Sequence, residues 1–334
     1  MIYTITPNPA LDIGGTVDQL IADEKNYVLG ETRSAGGNGI NAARIAHRLG
    51  AKVTASGFLG GPTGNEIEKL LDGQNVTHHF VRTVGNTRIN FTISNHKTYS
   101  QTRLSFPGPE IKRAEFRKLQ QFCDGFNPSS IVLIGGSLPK GIDARDIGLL
   151  VEKLKKRGHF CIVDMPGPHL KTIISCRPHL IKPNLREFQE LVGKNVQSIR
   201  TVLPFARRLS KSISLVCVSS VEGGALLVTK NKAWFGTIPK VKVRSTVGTG
   251  DSMVGAMAAA LENYKIQKTN KKNIDMFLEE NGSELLRWGL AAACATLVEQ
   301  GMILGDKKSI LKYHPLIKIK EISEYKQRKS NGKK

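Results

Sequence analysis

The sequence predicts an α/β fold: a doubly wound, mostly parallel sheet flanked by helices, with a small second sheet standing off it. Three observations carry this. Short β-branched runs alternate with helical patterns along most of the chain, as parallel βαβ units do. The C-terminal third turns helical. Residues 85–105 break the alternation, because Ile89, Phe91 and Ile93 follow a period of two against polar neighbours.

Taken in order, the first strand is Ile2–Thr6, since the opening Met-Ile-Tyr-Thr-Ile-Thr-Pro lacks the basic-then-apolar build of a signal peptide. Residues 13–33 are irregular and polar. The next strands are Val53–Leu59, Ile131–Gly135, Phe160–Asp164, His179–Lys182, Leu215–Ser219 and Ala225–Thr229. Between them helices are predicted at Asn41–Leu49, Gly64–Leu71, Ala114–Cys123, Ala144–Lys156, Leu185–Val192 and Ile199–Leu209. Asn95-His96 sits where a hairpin would turn, so 85–105 pairs as two antiparallel strands and joins 13–33 in the small sheet. Helices at Asp251–Asn263, Ile274–Leu278 and Ser283–Glu299 complete the pattern.

The chain has 334 residues, 40% hydrophobic and 23% charged, which suits a globular protein with a proper core. No stretch approaches the roughly 18 consecutive apolar residues of a membrane helix. Cys123, Cys161, Cys176, Cys217 and Cys294 are scattered, with no Cys-x-x-Cys pair, and most lie in apolar runs. That usage points to a reducing, cytoplasmic setting. The net charge of +21 is partly terminal, with ten Lys and Arg in residues 307–334, and four lysines lie between Lys265 and Lys272. Such runs are ordinarily solvated. With aromatics at 6% and no recognition motif, nucleic acid is not the expected partner, while anionic small substrates are compatible with the charge.

Three segments carry chemistry. In Ser245-Thr-Val-Gly-Thr-Gly-Asp251, Gly248, Thr249 and Gly250 precede an aspartate that opens an alanine-rich helix. Two glycines let backbone N–H groups converge at a helix N-terminus, an anion hole for phosphoryl oxygens. A carboxylate there is repulsive unless it removes a proton from an attacking hydroxyl. Taken alone, the segment also fits an aspartate that caps its helix. The second segment, Ser34-Ala-Gly-Gly-Asn-Gly-Ile-Asn41, formally matches a dinucleotide fingerprint at Gly37, Gly39 and Ala42. It follows no buried strand, and no acid lies between Glu31 and Glu66, so that reading is rejected. A glycine-rich approach to Asn41 suits a polyhydroxylated ligand instead. No Walker A loop occurs. In the third segment, Lys182-Pro-Asn184-Leu-Arg-Glu187, Asn184 and Glu187 fall on one helix face. They fit either the water shell of a magnesium ion or a plain helix cap.

Gly36–Gly50 and Ser245–Ala256 resemble the two signatures of the PfkB (ribokinase-like) sugar kinases, and Asn184-x-x-Glu187 matches that family's Asn-x-x-Glu motif. Thr6-Pro-Asn-Pro-Ala-Leu-Asp12 and Gly135-Gly-Ser137-Leu-Pro-x-Gly141 resemble its phosphofructokinase and tagatose-6-phosphate kinase branch. The likeness runs in order to about residue 315.

The resemblance implies one ribokinase-like kinase domain over residues 1–318, with a β-sheet lid from 13–33 and 85–105 and a basic, disordered tail at 319–334. It implies ATP and Mg²⁺ as cofactors, a sugar phosphate as acceptor and a homodimer formed through the lid. Asp251 would be the general base, and the backbone from Gly248 through Thr249 and Gly250 the anion hole. Asp12, Gly37, Gly39 and Asn41 would hold sugar hydroxyls. Lys25, Arg88, Arg103 and Ser137 would receive the acceptor's phosphate, to which arginine's planar fork is suited. Lys182, Asn184, Glu187, Ser219, Gly224 and Thr246 would surround the nucleotide, with Glu187 meeting magnesium through water.

Three positions depart from the family pattern. Asn38 stands where lysine or glycine is usual, and Thr249 is a mild change. Val221 replaces a common glycine; a β-branched residue resists positive φ, so a different loop and an altered nucleotide site are expected there. Fructose 6-phosphate is the favoured acceptor, from the likeness of Ser245–Ala260 and Arg287–Gly301 to minor bacterial 6-phosphofructokinases. Fructose 1-phosphate and tagatose 6-phosphate are the alternatives. Readings from other classes are a catalytically weak sugar-phosphate sensor and a nucleic-acid-associated protein using the +21 charge.

Overall fold

The computed structural model describes residues 1–98, 100–266 and 273–322. In chain order the strands are β1 (Ile2–Thr6), β2 (Ala10–Val17), β3 (Gly30–Gly36), β4 (Val53–Leu59), β5 (His78–Arg82), β6 (Arg88–Asn95) and β7 (Gln101–Ser105). They continue as β8 (Ile131–Gly135), β9 (Phe160–Asp164), β10 (Leu180–Ile181), β11 (Leu215–Val221), β12 (Gly224–Val228), β13 (Ala233–Thr237) and β14 (Lys318–Glu321). The helices are α1 (Asn38–Arg48), α2 (Gly61–Asp72), α3 (Arg113–Asp124), α4 (Ala144–Lys156) and α5 (Gly167–Ile173), followed by α6 (Leu185–Val192), α7 (Ile199–Leu209), α8 (Thr249–Asn263), α9 (Ile274–Leu297) and α10 (Lys307–Tyr313).

Ten strands form the main sheet in the order β14-β13-β12-β11-β10-β9-β8-β1-β4-β5. The seven from β11 to β5 run parallel, and β12, β13 and β14 add antiparallel ladders at one side. Side chains alternate between the two faces, as the strand period requires. Ile131, Leu133, Phe160 and Ile162 pack toward α1, α8 and α9, whereas Val132, Ile134, Cys161 and Val163 pack toward α3, α4 and α6. Covering both faces makes the inner strands continuously apolar, and that is why they were readable.

The small sheet has the order β3-β2-β6-β7, with β2 and β6 parallel and the flanking pairs antiparallel. Its strands reach past the expected segments: β2 starts at Ala10 and β3 runs through Gly36 into α1. The hairpin turn follows Asn95, whose Oδ1 accepts from the backbone N–H groups of Lys97 and Thr98, each at 3.1 Å.

The structure corrects two boundaries. The break expected between Ile274–Leu278 and Ser283–Glu299 is absent, for α9 is continuous. Asn281 donates back to the Phe277 carbonyl at 2.8 Å, and Gly282 lies under the Trp234 ring, where a Cβ would collide with it. Gly282 therefore serves close packing, not helix termination. At the other end, Lys318–Glu321 pairs with β13 as an edge strand, so 319–321 belong to the sheet rather than to a tail. Residues 323–334, and 267–272 from the internal basic run, lie outside the described residues.

Candidate active site

The sheet's carboxyl ends, β2 of the lid and the start of α8 converge on Asp251. Gly248, at φ 71°, turns the chain into α8, and Leu304 lies behind it where a Cβ would stand. No side chain caps this helix. Its first N–H groups, on Thr249, Gly250 and Asp251, have no intrahelical acceptor and face outward with the helix dipole behind them. Asp251 therefore does not cap the helix; its Oδ2 accepts from Asn41 Nδ2 at 2.8 Å. Burial and the nearby Asp164 push the Asp251 carboxyl up to about 6, against the lowering effects of Asn41 and Lys182. A carboxylate with that value accepts a proton near neutral pH.

Gly37 and Gly39 bring α1 close under β1. Gly37 holds φ at 111°, and a Cβ on Gly39 would stand 2.6 Å from Thr6 Oγ1 and 2.9 Å from the Ile5 carbonyl oxygen. This approach sets Asn41 opposite Asp251. Asp12 on β2 accepts from Asn90 Nδ2 at 2.9 Å, and burial raises its carboxyl to about 6 although Asn90, Arg88 and Arg44 oppose the rise. Asn38 begins α1 beside Gly135 and Gly136.

Lys182 and Asp164 form a buried ion pair at 3.1 Å. Burial alone would lower the Lys182 ammonium, yet Asp164, Glu187 and Asp251 together hold it above its usual value. Its Nζ points at the anion hole, for a Cβ on Gly250 would stand 3.0 Å from it. Asn184 and Glu187 do form a capping box: Glu187 N donates to Asn184 Oδ1 at 3.0 Å, and Asn184 N donates to Glu187 Oε2 at 2.9 Å. The cap occupies one of two carboxylate oxygens, and the Glu187 carboxyl is raised chiefly by burial, with Asp164 adding to the rise. Cap and ligand readings of this motif are thus compatible.

The expected phosphate-binding residues divide. Arg88 is anchored to three carbonyls, donating to Asn8 at 2.9 Å, Phe106 at 3.1 Å and Pro9 at 3.3 Å. A guanidinium has five N–H groups, so two are left for a ligand. Ser137 Oγ accepts from Asn8 Nδ2 at 3.3 Å. Arg103 reaches from β7 to Thr246 Oγ1 at 2.8 Å, and with Gln101, Arg244 and Ser245 it lines a cavity of about 500 Å³. Lys25 is exposed in the β2–β3 connection, its Nζ 5.0 Å from the Tyr27 ring centroid.

Of the residues expected around a nucleotide, Ser219 ends the regular part of β11 and bridges Asn184. Gly224 lies against the backbone of Gly236, too close for a Cβ. Val221 is a buried strand residue without positive φ, and the left-handed backbone falls on its neighbours Ser220 at 62°, Glu222 at 45° and Gly223 at 75°. A bulge after Ser219 shifts the register so that Val221 keeps extended backbone.

Sequence reasoning missed Asp164, Asn90 and Asn8. Asp164 had a readable signal, because a carboxylate closing an otherwise apolar strand lies where doubly wound sheets bind ligands. Asn90 had none beyond its polar place in the β6 alternation.

Residues 9–308 match the pfkB family carbohydrate kinase profile. The chain is 33% identical over 304 residues to the ATP-dependent 6-phosphofructokinase isozyme 2 of Escherichia coli, covering 90% of this chain and 93% of that one. It is 30% identical over 292 residues to the 1-phosphofructokinase of Bacillus subtilis, covering 85% and 95%. The structure of Escherichia coli phosphofructokinase-2 in complex with fructose-6-phosphate superposes with a TM-score of 0.83 at 30% identity, over 94% of this chain and 98% of that one. The fold, the glycine-shaped anion hole and these likenesses agree: the chain belongs to the pfkB family of carbohydrate kinases and is a sugar-phosphate kinase of the phosphofructokinase type.

Proposed function

We propose that the protein transfers the γ-phosphoryl group of ATP to a hydroxyl of fructose 6-phosphate, giving fructose 1,6-bisphosphate. The observation that carries this reading is the cluster of Asp251, Asn41, Lys182 and the open α8 N-terminus within one cleft. Asp251 removes the hydroxyl proton as that oxygen attacks phosphorus and the bond to the ADP oxygen breaks in line. The N–H groups of Thr249, Gly250 and Asp251, with Lys182 beside them, meet the charge on the transferring oxygens. Asp12, Gly37, Gly39 and Asn41 hold the sugar hydroxyls, while Lys25, Arg88, Arg103 and Ser137 hold its phosphate. Asn184, Ser219, Gly224 and Thr246 line the nucleotide side.

The residues present fit a magnesium ion carried with ATP. Asp164 Oδ2 is buried without a hydrogen-bond partner, and Glu187 keeps an oxygen beyond its cap. Magnesium keeps several of its waters and leans on phosphate, so one or two carboxylates suffice to hold it. When bound, the ion adds positive charge against the phosphate oxygens.

Fructose 6-phosphate is supported by the likeness of Ser245–Ala260 and Arg287–Gly301 to minor bacterial 6-phosphofructokinases, and the Bacillus subtilis relative keeps fructose 1-phosphate as the rival. Exposed Leu29, Leu104 and Phe106 on the lid support a homodimer through that sheet. Five unpaired thiols support a reducing, cytoplasmic setting, and among the described residues no helix is long and apolar enough to cross a membrane. The test is coupled ADP release with ATP and Mg²⁺ on fructose 6-phosphate, fructose 1-phosphate, tagatose 6-phosphate and fructose. Turnover greatest on fructose 6-phosphate and absent on fructose is expected. Preference for another sugar phosphate overturns the acceptor, and turnover on none overturns the reading.

A further inference from the structure

Arg44 is a charged residue buried to 6% exposure, one turn beyond Asn41 on α1. Among the described residues its hydrogen bonds go only to neutral acceptors. Nε donates to Gln74 Oε1 at 2.9 Å, and Nη1 donates to Ser34 Oγ at 2.9 Å, the Ala35 carbonyl at 3.1 Å and Asn41 Oδ1 at 3.2 Å. Gln74 is itself fixed, donating from Nε2 to the Leu70 carbonyl at 3.2 Å. Asp12 acts on this guanidinium through space but makes no hydrogen bond to it, so charge pairing alone does not account for the directed set of contacts.

What a guanidinium supplies that a neutral amide does not is polarity of one sign. Arginine only donates, so the Asn41 atom facing it must be the oxygen, and Nδ2 must face the other way. The other way is Asp251, whose Oδ2 receives that N–H at 2.8 Å. An Asn41 amide turned by 180° would set its oxygen against the Asp251 carboxylate and its NH₂ against Arg44, two repulsions in place of two hydrogen bonds. We propose that Arg44 is a positioning residue, which fixes the Asn41 amide so that it presents a donor to Asp251 and holds that carboxylate aimed at the acceptor hydroxyl. The inference rests on the assignment of Asp251 as the base.

The test is a cycle of Arg44→Lys and Asn41→Ala, alone and combined, with kcat and the KM for ATP measured on the acceptor that the wild type prefers. Lysine keeps the charge but cannot bridge Gln74 and Asn41 at once. Arg44→Lys is expected to lose about tenfold in kcat, the scale of one hydrogen bond to a charged group, with the KM for ATP unchanged. In the Asn41→Ala background the same change should cost nothing further, because the amide it orients is gone. Losses that multiply, or a kcat left intact by Arg44→Lys, overturn the proposal. If Arg44→Lys does not fold, Gln74→Met releases the other end of the same guanidinium from outside the core. It is expected to lose about threefold in kcat when Asn41 is intact and nothing further in the Asn41→Ala background. Asp251→Asn run beside them separates the two failures: if it retains turnover the base assignment is wrong, and if it is inactive while Arg44→Lys is normal only the positioning role is wrong.

Discussion

The body and the lid contribute to one cleft in different ways. On the body, Asp164, Lys182, Asn41 and Asp251 are tied to one another through an ion pair and a charge-assisted hydrogen bond, with Lys182 and Asp164 each about 4% exposed. On the lid, Arg88 and Arg103 lie on half-buried or exposed strands, and Arg103 meets the body through a side-chain hydroxyl of Thr246. The body cluster is held by its own contacts, which suits the proposed role of groups that act on a transition state. The lid has donors to spare and a cavity of about 500 Å³ beside it, as groups that recognise a ligand must. The proposed function accordingly places the chemistry on the body and the recognition on the small sheet.

Substitutions can break that division, beginning with the largest effect. Asp251→Asn is expected to lower kcat by about 10²–10⁴ while the KM for ATP stays near wild type, measured by coupled ADP release. Lys182→Met leaves Asp164 buried without its partner, so it should cost roughly 3–5 kcal/mol of stability in a denaturant titration as well as most turnover. Arg103→Met, on the lid, should raise the KM for the sugar phosphate by about tenfold to a hundredfold with little change in kcat.

The pH dependence sharpens the same contrast. Burial holds the carboxyls of Asp251 and Asp12 up at about 6, facing Asp164, Lys182, Asn41 and, for Asp12, Arg88 and Arg44. Activity in kcat/KM should therefore rise as pH passes upward through about 6, and Arg103→Met should keep that limb. The sign for stability is opposite. A folded carboxyl held above its ordinary value of 3.8 binds protons that the unfolded chain has released, so stability falls as pH rises from about 4 to about 6. Thermal unfolding between those values measures it. The smallest effect on activity belongs to Val221→Gly, which should leave the KM for ATP within about twofold while costing about 2 kcal/mol of stability through the lost buried side chain and the added chain freedom.

Much of this was legible in the sequence for a local reason. The inner strands are apolar on both faces, and the uncapped turn into α8 is written in consecutive residues from Gly248 to Asp251. Asp164 became a site residue only through Lys182, which the neighbouring strand delivers eighteen positions later. Arg44 reads in sequence as an ordinary helix arginine, because its burial depends on Ser34 and Gln74 from elements on either side. The break expected before Ser283 fails because Gly282 packs under Trp234 inside a continuous helix, and at Val221 a bulge after Ser219 moves the positive φ onto the neighbours, neither of which local propensity can report.

The most direct measurement is kcat and sugar-phosphate KM for Asp251→Asn and Arg103→Met, on the same acceptor at saturating ATP. If the body performs the chemistry and the lid the recognition, the first variant loses kcat with KM within about threefold, and the second loses KM with kcat within about threefold. Equal losses of kcat and KM in both variants, or turnover retained by Asp251→Asn, would contradict the division and the assignment of Asp251 with it.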